Sequence, residues 1–168
     1  MTPPDPHRTE PGAGVAVRGM AEGDAEALHA IHGACLTATL LGRGHYTREQ
    51  VEAWMAGRTP EGYLNAARGG ERFLVAERDG AVVGFASWRD GELLSLFIHP
   101  DHQGRGIGSA LAFACSAEAE RSGAPITVVR AALGAEPFYR RHGLAVVGPG
   151  AAPKRGVGIP HTRMRRDA

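Results

Sequence analysis

Hydrophobic and polar residues alternate with a period of two through the middle of the chain. The run RFLVAERDGAVVGFASW holds two β-rich segments around Asp79-Gly80, and Asp90-Gly91 stands before ELLSLFIHP. An Asp-Gly pair between alternating hydrophobic segments is the strongest short-range signal for a hairpin. The pattern therefore predicts three consecutive antiparallel strands, over residues 73–78, 81–88 and 92–98.

Helical spacing of apolar residues appears on both sides of these strands. Leu28, Ile31, Cys35 and Ala38 predict one helix, and a T-x-x-Q capping box at Thr47 predicts a second helix, which ends near GRTPEG. After the third strand we expect a long helix over 106–121, a strand over 126–131 and a short helix in AEPFYRRHG. LAVVG and HTRMR predict two closing strands. The element order is then β-α-α-β-β-β-α-β-α-β-β.

Length, composition and charge bound the class of protein. The chain has 168 residues, 43% of them hydrophobic and 22% charged, which suits one globular domain. We expect a disordered Pro- and Gly-rich lead over 1–14 and a single domain over 15–168. A net charge of +1 gives no field for nucleic acid. No apolar run approaches the about 20 residues of a membrane span, so we expect no membrane partner.

The N-terminus and the cysteines indicate the compartment. MTPPDPHRTEPGAG has no apolar core and does not resemble a secretory signal. Cys35 and Cys115 both lie in predicted amphipathic helices, where buried free thiols are the simplest interpretation. Because free thiols persist in a reducing environment, we expect a cytoplasmic protein.

The stretch HPDHQGRGIGSALAFA places three glycines where the long helix begins. The first N–H groups of a helix have no partner within the helix and carry the positive end of its dipole. Glycines let a ligand approach the backbone closely, because they have no Cβ atom. A strand, a glycine-rich turn and a helix N-terminus together predict a phosphate site. GRGIGS lacks the G-K-[ST] ending of a nucleotide P-loop, and its spacing differs from the dinucleotide fingerprint G-x-G-x-x-G.

Gln103-x-x-Gly106-x-Gly108 resembles the Q/R-x-x-G-x-G/A pyrophosphate loop of the GCN5-related N-acetyltransferase (GNAT) family, small bacterial members included. A second family motif, N-x-x-A-x-x-F-Y-x-x-x-G-F, is similar to ALGAEPFYRRHGL. The resemblance covers residues 15–166 and implies the GNAT α/β fold, a mixed and mostly antiparallel sheet flanked by helices. Ala132 stands where the family has Asn, a side chain that helps to hold the pantetheine arm. The positions that match the second motif are Ala135, Phe138, Tyr139, Gly143 and, in place of the last Phe, Leu144.

The resemblance implies direct transfer of acetyl from acetyl-CoA to a primary amine, with no metal. The third strand would splay from its parallel neighbour and pair with the cofactor arm through Leu96, Phe97 and Ile98. The Ile98 N–H would then be the oxyanion donor. Tyr139 matches the family's general acid, next to Phe138. The loop residues implied for cofactor binding are Gln103, Gly104, Arg105, Gly106, Ile107, Gly108 and Ser109.

The proton acceptor and the acceptor pocket are less determined. Glu92 is a candidate base because some family members use a carboxylate on this strand, and a water relay is the alternative. His45, Tyr46 and Trp54 belong to GHYTREQVEAWM, which lies where the family covers its acceptor, and we expect a small-molecule amine there. Structural roles also fit each of these residues: Glu92 as a solvated hairpin residue, His45 as a loop residue and Trp54 as core.

Other functions and partners stay open at this point. A protein or peptide N-terminal acetyltransferase, a non-catalytic acyl-CoA sensor and a nucleotide-binding regulator are the alternatives, and Tyr139 also fits a packing role. Family members often dimerise, so a homodimer is compatible with the resemblance. His29, His32 and Cys35 share a helix face, but a structural metal site needs four ligands. The acceptor's identity is not encoded in the fold.

Overall fold

The computed structural model describes residues 14–167, which form one seven-stranded sheet with helices on both faces. The strand order is β1-β2-β3-β4-β5-β7-β6, and only β4 and β5 run parallel. The expected mixed, mostly antiparallel fold is therefore confirmed. Of the predicted lead over residues 1–14, all but Gly14 lie outside the described residues. The strands are β1 Val15–Gly19, β2 Arg72–Arg78, β3 Ala81–Arg89, β4 Glu92–Ile98, β5 Val128–Ala131, β6 Leu144–Lys154 and β7 Val157–Arg166.

Both Asp-Gly pairs form the tight turns that the pattern predicts. Asp79 and Gly80 have φ values of 50° and 78°, and Asp90 and Gly91 have 50° and 80°. Two successive residues with positive φ give a turn whose twist matches that of the strands it joins. The three predicted middle strands are confirmed, with β4 at its predicted bounds.

The helices include one that the sequence analysis missed. Helix α3 follows α2 directly, begins after Thr59, whose side chain accepts a hydrogen bond from the Gly62 N–H, and has Pro60 in its first turn. The sequence T-P-E at residues 59–61 is a local signal for a helix N-terminus. The predicted element order lacks this helix because that signal was not used. The helices are α1 Ala25–Ala34, α2 Arg48–Met55, α3 Pro60–Arg68, α4 Ile107–Arg121 and α5 Glu136–Arg141.

Helix α1 does not end where its regular turns end. A π-helical segment, Cys35–Leu41, continues it toward α2 with wider turns. The capping box at the start of α2 is confirmed, because the Gln50 N–H donates to Thr47 Oγ1 and the Thr47 N–H donates to Gln50 Oε1. π-Helical turns often occur at functional sites, where they re-aim side chains. Here the segment brings Thr39 and Leu40 to the cavity described below.

The closing hairpin is longer than LAVVG and HTRMR predicted. Pro149 and Pro153 broke the alternating pattern, yet both lie within β6, which pairs only with β7 at the edge of the sheet. An edge strand tolerates proline where the missing N–H would face solvent. The alternating pattern therefore predicted strands that are shorter than those of the structure.

A β-bulge in β4 separates β4 from β5. Ser95 pairs with Ser87 and Leu93 pairs with Trp88, so Leu94 is an extra residue on β4. The β4–β5 pairing stops at the same place, since its last pair is Leu93 with Val129. A bulge bends its strand and increases the local twist. The expected splay is present and opens a gap beyond Leu93.

The two faces of the sheet bury separate clusters. Leu93, Val129 and Met164 pack on the face that α4 and α5 cover, while Phe97 packs with α1 on the opposite face. Cys35 and Cys115 are buried, and burial raises the pKa of both thiols to about 12. No helix among residues 14–167 is long and apolar enough to cross a membrane.

Candidate active site

The glycine-rich loop presents bare backbone at the start of α4. Gly104 and Gly106 have φ values of 75° and 80°, and a Cβ atom on either would meet nothing within 4 Å. Hydrogen bonding of the helix begins with the Ala110 N–H, which donates to the Gly106 carbonyl at 3.1 Å, and no side chain caps this end. The N–H groups of Ile107, Gly108 and Ser109 are therefore available to an anion.

A cavity of about 470 Å³ connects this loop with the end of β4. Its walls also include the π-helical segment, the loop after β5 and helix α5. Among the predicted site residues, the loop residues Gly104, Gly106, Ile107, Gly108 and Ser109 line it. It is also lined by Leu96, Ile98, Gln103, Phe138, Tyr139 and His45.

The edge of β4 offers unpaired backbone groups to the gap. The His99 N–H donates to the Val83 carbonyl at 2.8 Å, which makes residues 83 and 99 a hydrogen-bonded pair. Such pairs alternate with non-bonded pairs in an antiparallel ladder, so Ile98 and Leu96 direct their N–H and C=O groups away from β3. These groups face the side where β5 has diverged.

The Ile98 carbonyl already has protein partners, whereas its N–H has none among residues 14–167. Gln103 Nε2 donates to it at 3.1 Å, and Cys35 Sγ donates to it at 2.9 Å. Gln103 Nε2 also donates to Thr39 Oγ1 at 3.1 Å. The side chain of Gln103 thus ties the glycine loop to β4 and to the π-helical segment.

Tyr139 lies on α5 against the wall of the cavity. It is 8% exposed, and its ring meets Phe138 edge to face, with 5.1 Å between the ring centroids. Burial raises the pKa of the Tyr139 hydroxyl well above its ordinary value. The hydroxyl is therefore protonated at neutral pH and able to donate a proton.

Phe97 and Glu92 were predicted in the site but lie elsewhere. The Phe97 ring stacks on His32, with 4.3 Å between the ring centroids, and alternation pairs its backbone with Phe85 of β3. Glu92 binds Arg130 at 3.1 Å at the opposite end of β4, about 20 Å from Ile98 at the usual rise of a strand. Neither residue lines the cavity, because β4 points them to the other face or the other end.

Three further candidates hold peripheral positions. Arg105 is exposed and does not line the cavity. Tyr46 is buried, and its hydroxyl donates to the Pro160 carbonyl and accepts from the Leu133 N–H, both at 2.8 Å. Trp54 packs edge-on against Tyr46, with 5.5 Å between the ring centroids. Neither Tyr46 nor Trp54 lines the cavity, and the Tyr46 hydroxyl is already engaged both as donor and as acceptor.

Two cations and a polar residue of the cavity were missed from the sequence. Arg43, Arg141 and Thr39 all line it. Arg141 lies within the second motif as YRRHG, where its charge could have been noticed. Thr39 lies in the π-helical segment and Arg43 lies two residues past its end, and neither position carries a local sequence signal.

His45 lies against the loop that follows β5. A Cβ atom on Gly134 would come within 3 Å of the His45 ring, so the glycine is needed for this approach. The neighbouring carboxylate of Glu136 accepts from the Gly134 N–H at 2.9 Å and from the Thr162 hydroxyl at 2.6 Å. Burial alone would raise the pKa of Glu136, but these hydrogen bonds outweigh it and lower the pKa. Glu136 is thus ionised beside His45.

Comparison with known proteins identifies the class. The chain belongs to the GNAT acetyltransferase family, because the family model "Acetyltransferase (GNAT) domain" matches residues 43–168. A GCN5-related N-acetyltransferase from Rhodopseudomonas palustris superposes with a TM-score of 0.83 and 28% identity over 94% of this chain and 98% of that one. PaiA N-acetyltransferase from Thermoplasma acidophilum, in complex with coenzyme A, superposes with a TM-score of 0.69 and 21% identity over 91% of this chain and 99% of that one. At this identity the match shows similarity of fold alone.

A curated relative matches a shorter stretch. L-amino acid N-acyltransferase MnaT of Escherichia coli (strain K12) is 37% identical over 68 residues, which are 35% of this chain and 35% of the relative. The aligned stretch thus spans about a third of that relative's length. The family is one of N-acetyltransferases whose acetyl donor is acetyl-CoA.

The residues present fit that donor. The cradle at Gly104 and Gly106 has room for a phosphate, the N–H groups of α4 are free, and Arg43 and Arg141 add positive charge. Within residues 14–167, no group of three or more His, Cys, Asp or Glu residues could hold a metal ion.

Proposed function

We propose that this protein transfers acetyl from acetyl-CoA to a primary amine of a small molecule. The observation that carries the proposal is the divergence of β4 from β5 beyond Leu93, because the end of β4 and the glycine cradle line the same cavity. The gap offers unpaired backbone groups to an amide-bearing arm, and the cradle offers N–H groups to a diphosphate. Ala132 stands where the family motif has the Asn that contacts the pantetheine arm, and it packs beside Tyr46 and Leu133.

The loop and two arginines hold the donor. The N–H groups of Ile107, Gly108 and Ser109 bind the diphosphate, each charged hydrogen bond contributing about 1.5–3 kcal/mol. Arg43 and Arg141 line the cavity and neutralise phosphate charge. Gln103 acts through its bonds to Thr39 and Ile98 and keeps the cradle in register with β4.

The end of β4 and helix α5 carry the chemistry. Acetyl-CoA supplies an acetyl group activated as a thioester. The Ile98 N–H donates to the carbonyl oxygen, where negative charge develops, and a donor of this kind is worth roughly 2.7–4 kcal/mol. Tyr139, whose phenol is protonated at neutral pH, donates its proton to the departing sulfur.

The amine must lose a proton, and Glu92, which lies at the other end of β4 from Ile98 and does not line the cavity, cannot take it directly. His45 lines the cavity next to the ionised Glu136. We assign His45, through water, as the route by which the proton leaves. The proposal thus moves the proton acceptor from β4 to the loop before α2.

A small acceptor is favoured by the closure of this region. Tyr46 bridges the Pro160 carbonyl and the Leu133 N–H, so the loop before α2 is fastened to β7 and to the end of β5. A peptide acceptor would need a groove that is open at both ends. The curated relative is named for acylation of an L-amino acid, which is also a small amine.

Calorimetric titration with acetyl-CoA, ATP and NAD, followed by a thiol-release assay over small amines and short peptides, tests the proposal. We expect tight binding of acetyl-CoA alone and thiol release with a small amine. Thiol release with peptides alone would mean that the protein is a peptide acetyltransferase rather than a small-molecule acetyltransferase. Binding without turnover on any amine would favour a sensor, and binding of ATP alone would overturn the assignment of the glycine loop.

A further inference from the structure

The side chain of Ser109 joins the phosphate loop to the end of helix α5. Ser109 is the third residue of α4 and lines the cavity. Its Oγ lies within hydrogen-bond distance, 3.0 Å, of Nε2 of His142, the residue that follows α5. His142 does not line the cavity itself, so its influence on a ligand there passes through the Ser109 hydroxyl.

The His142 ring is held in place by Phe138. The two rings stack with 4.6 Å between their centroids and an angle of 38° between their planes. Phe138 in turn packs against the first turn of α4, since a Cβ atom on Gly108 would lie 3.4 Å from Phe138 Cε2. The Nδ1 atom of His142 has no hydrogen-bond partner among residues 14–167 and is not enclosed, so it can exchange a proton with solvent.

The charges around this imidazole are positive. Burial lowers the pKa of His142, and the charges of Arg141 on α5 and Arg166 on β7 lower it further. The Arg166 guanidinium lies over Gly143, where a Cβ atom would be 2.8 Å from its Nη1. The first turn of α4 has no acidic residue, and β6 has no charged residue before Lys154. In the described part of the chain, no carboxylate therefore offsets the two arginines at His142.

A diphosphate at the start of α4 changes this balance. The proposed function places it on the N–H groups of Ile107, Gly108 and Ser109, beside the Ser109 hydroxyl. A protonated imidazole donates from both nitrogens, so Ser109 Oγ accepts from His142 Nε2 and its O–H is left to donate to a phosphate oxygen. The negative charge of the diphosphate also favours the charged form of the imidazole, against the two arginines.

We propose that binding of acetyl-CoA protonates His142, which acts as a positioning residue by directing the Ser109 hydroxyl to the diphosphate. The inference rests on the proposed function and adds a pH dependence to donor binding. The imidazole takes one proton from solvent on binding and returns it on release, and no covalent bond of the donor changes. By linkage, donor affinity is highest below the pKa of His142 in the free protein. It falls as the pH rises through the higher pKa that His142 has in the complex.

Calorimetric titration in two buffers of different ionisation enthalpy counts the protons taken up. The ligand is acetyl-3′-dephospho-CoA, which keeps the diphosphate but lacks both a free thiol and the phosphomonoester, a group that titrates near pH 6. The wild type is compared with His142→Gln, Ser109→Ala and His161→Gln. Glutamine still offers an N–H to Ser109 but does not titrate. His161 is the matched control, because burial and two arginines lower its pKa as well, and it does not line the cavity.

At pH 6.5 we expect His142→Gln and Ser109→Ala to take up about half a proton less per ligand than the wild type, and His161→Gln the same as the wild type. From pH 6 to pH 8 we expect the affinity of the wild type to fall about fivefold more than that of His142→Gln. Equal proton uptake by the wild type and His142→Gln would overturn the inference. Uptake retained in full by Ser109→Ala would overturn the part played by the hydroxyl, and with it the positioning role.

The proposed function is tested separately by the same titrations. If the wild type binds acetyl-CoA but not the dephospho ligand, the differences between proteins are measured with acetyl-CoA, whose own titration is common to all four. Tight binding without any difference in proton count would overturn the inference on His142 and leave the donor site standing. Absence of acetyl-CoA binding by the wild type would overturn the proposed function, and this inference with it.

Discussion

Gln103 Nε2 lies 3.1 Å from the carbonyl oxygen of Ile98, and the same nitrogen lies 3.1 Å from Thr39 Oγ1. One side chain thus joins the phosphate cradle, the oxyanion strand and the π-helical segment. The family motif marks this position as a cofactor contact. Its geometry in this protein is that of a brace.

Replacement of this brace predicts a loss in donor binding. We expect Gln103→Ala to weaken acetyl-CoA binding about tenfold, because two hydrogen bonds that hold the loop are lost. Calorimetric titration with acetyl-CoA measures the effect. Arg105→Ala is the matched control, since Arg105 belongs to the same loop but lies outside the cavity. If Arg105→Ala has the larger effect, charge rather than loop position governs binding.

Substitution at Gly106 predicts a sharper result. Gly106 has a φ of 80°, and Gly106→Asp would add both a side chain and a negative charge where phosphate binds. We expect acetyl-CoA binding to be abolished. Gly123→Asp is the control, because Gly123 lies just past the other end of α4 with a φ of 82° and the same open surroundings.

The Gly106 comparison separates strain from site chemistry. In both variants a side chain at positive φ lowers the free energy of unfolding by a similar amount, roughly 1–2 kcal/mol. Equal loss of binding in the two would mean that the effect is one of folding. Retention of binding by Gly106→Asp would show that the loop does not hold the donor.

The parts of this fold that the sequence predicted are those with local causes. Asp79-Gly80 and Asp90-Gly91 fix their hairpins through the conformations of two residues. The glycine loop and the second motif are likewise contiguous, which is why the loop and Tyr139 were found and do line one cavity.

The parts that the sequence did not predict depend on pairing between distant segments. The bulge at Leu94 exists only in the register of β4 against β3, and it decides which side of the strand Phe97 faces. Thr39 reaches the site on the π-helical segment and Arg43 on the turn that follows it, and no local pattern predicts the wider turns of this segment. Glu92 is a candidate base on the resemblance alone, because some family members use a carboxylate on this strand, but in this protein the whole length of β4 separates it from Ile98.

Removal of the Tyr139 hydroxyl predicts a defect in turnover. We expect Tyr139→Phe to lower kcat far more than it raises KM for acetyl-CoA, because the hydroxyl acts on the departing sulfur. Steady-state kinetics with the best amine measures both constants. In the wild type, because the pKa of Tyr139 is raised, deprotonation of this hydroxyl should not lower kcat as the pH reaches about 10, the ordinary pKa of tyrosine. Unchanged turnover in Tyr139→Phe would leave the residue a packing role.

Loss of the His45 imidazole predicts a different pattern. We expect His45→Gln to lower kcat several-fold while leaving the affinity for acetyl-CoA within about twofold, since His45 handles the amine's proton. Trp54→Phe is the control, because Trp54 belongs to the same region but packs against Tyr46. A free imidazole added to the assay should restore part of the rate in His45→Gln. Equal kcat for the two variants would remove His45 from the proton route.

The buried His32 predicts how stability responds to acid. It is 2% exposed, its Nδ1 lies 2.9 Å from the Tyr63 hydroxyl, and its Nε2 is buried without a partner among the described residues. Burial, aided by the positive charge of Arg58, lowers its pKa to about 3. In the unfolded chain the His32 imidazole is protonated below about pH 6.5, whereas in the folded protein it stays neutral down to about pH 3. The free energy of unfolding therefore falls as the pH drops from 6.5 toward 3.

This contribution has a limiting slope of about 1.4 kcal/mol per pH unit. Denaturant unfolding between pH 7 and pH 4, on the wild type and on His32→Gln, isolates it, because the other histidines are common to both proteins. We expect His32→Gln to be less stable at pH 7, where its contact with Tyr63 is altered, and to lose less stability on acidification. Parallel pH profiles for the two proteins would mean that His32 is protonated in the folded state, and that its stacking on Phe97 does not depend on a neutral ring.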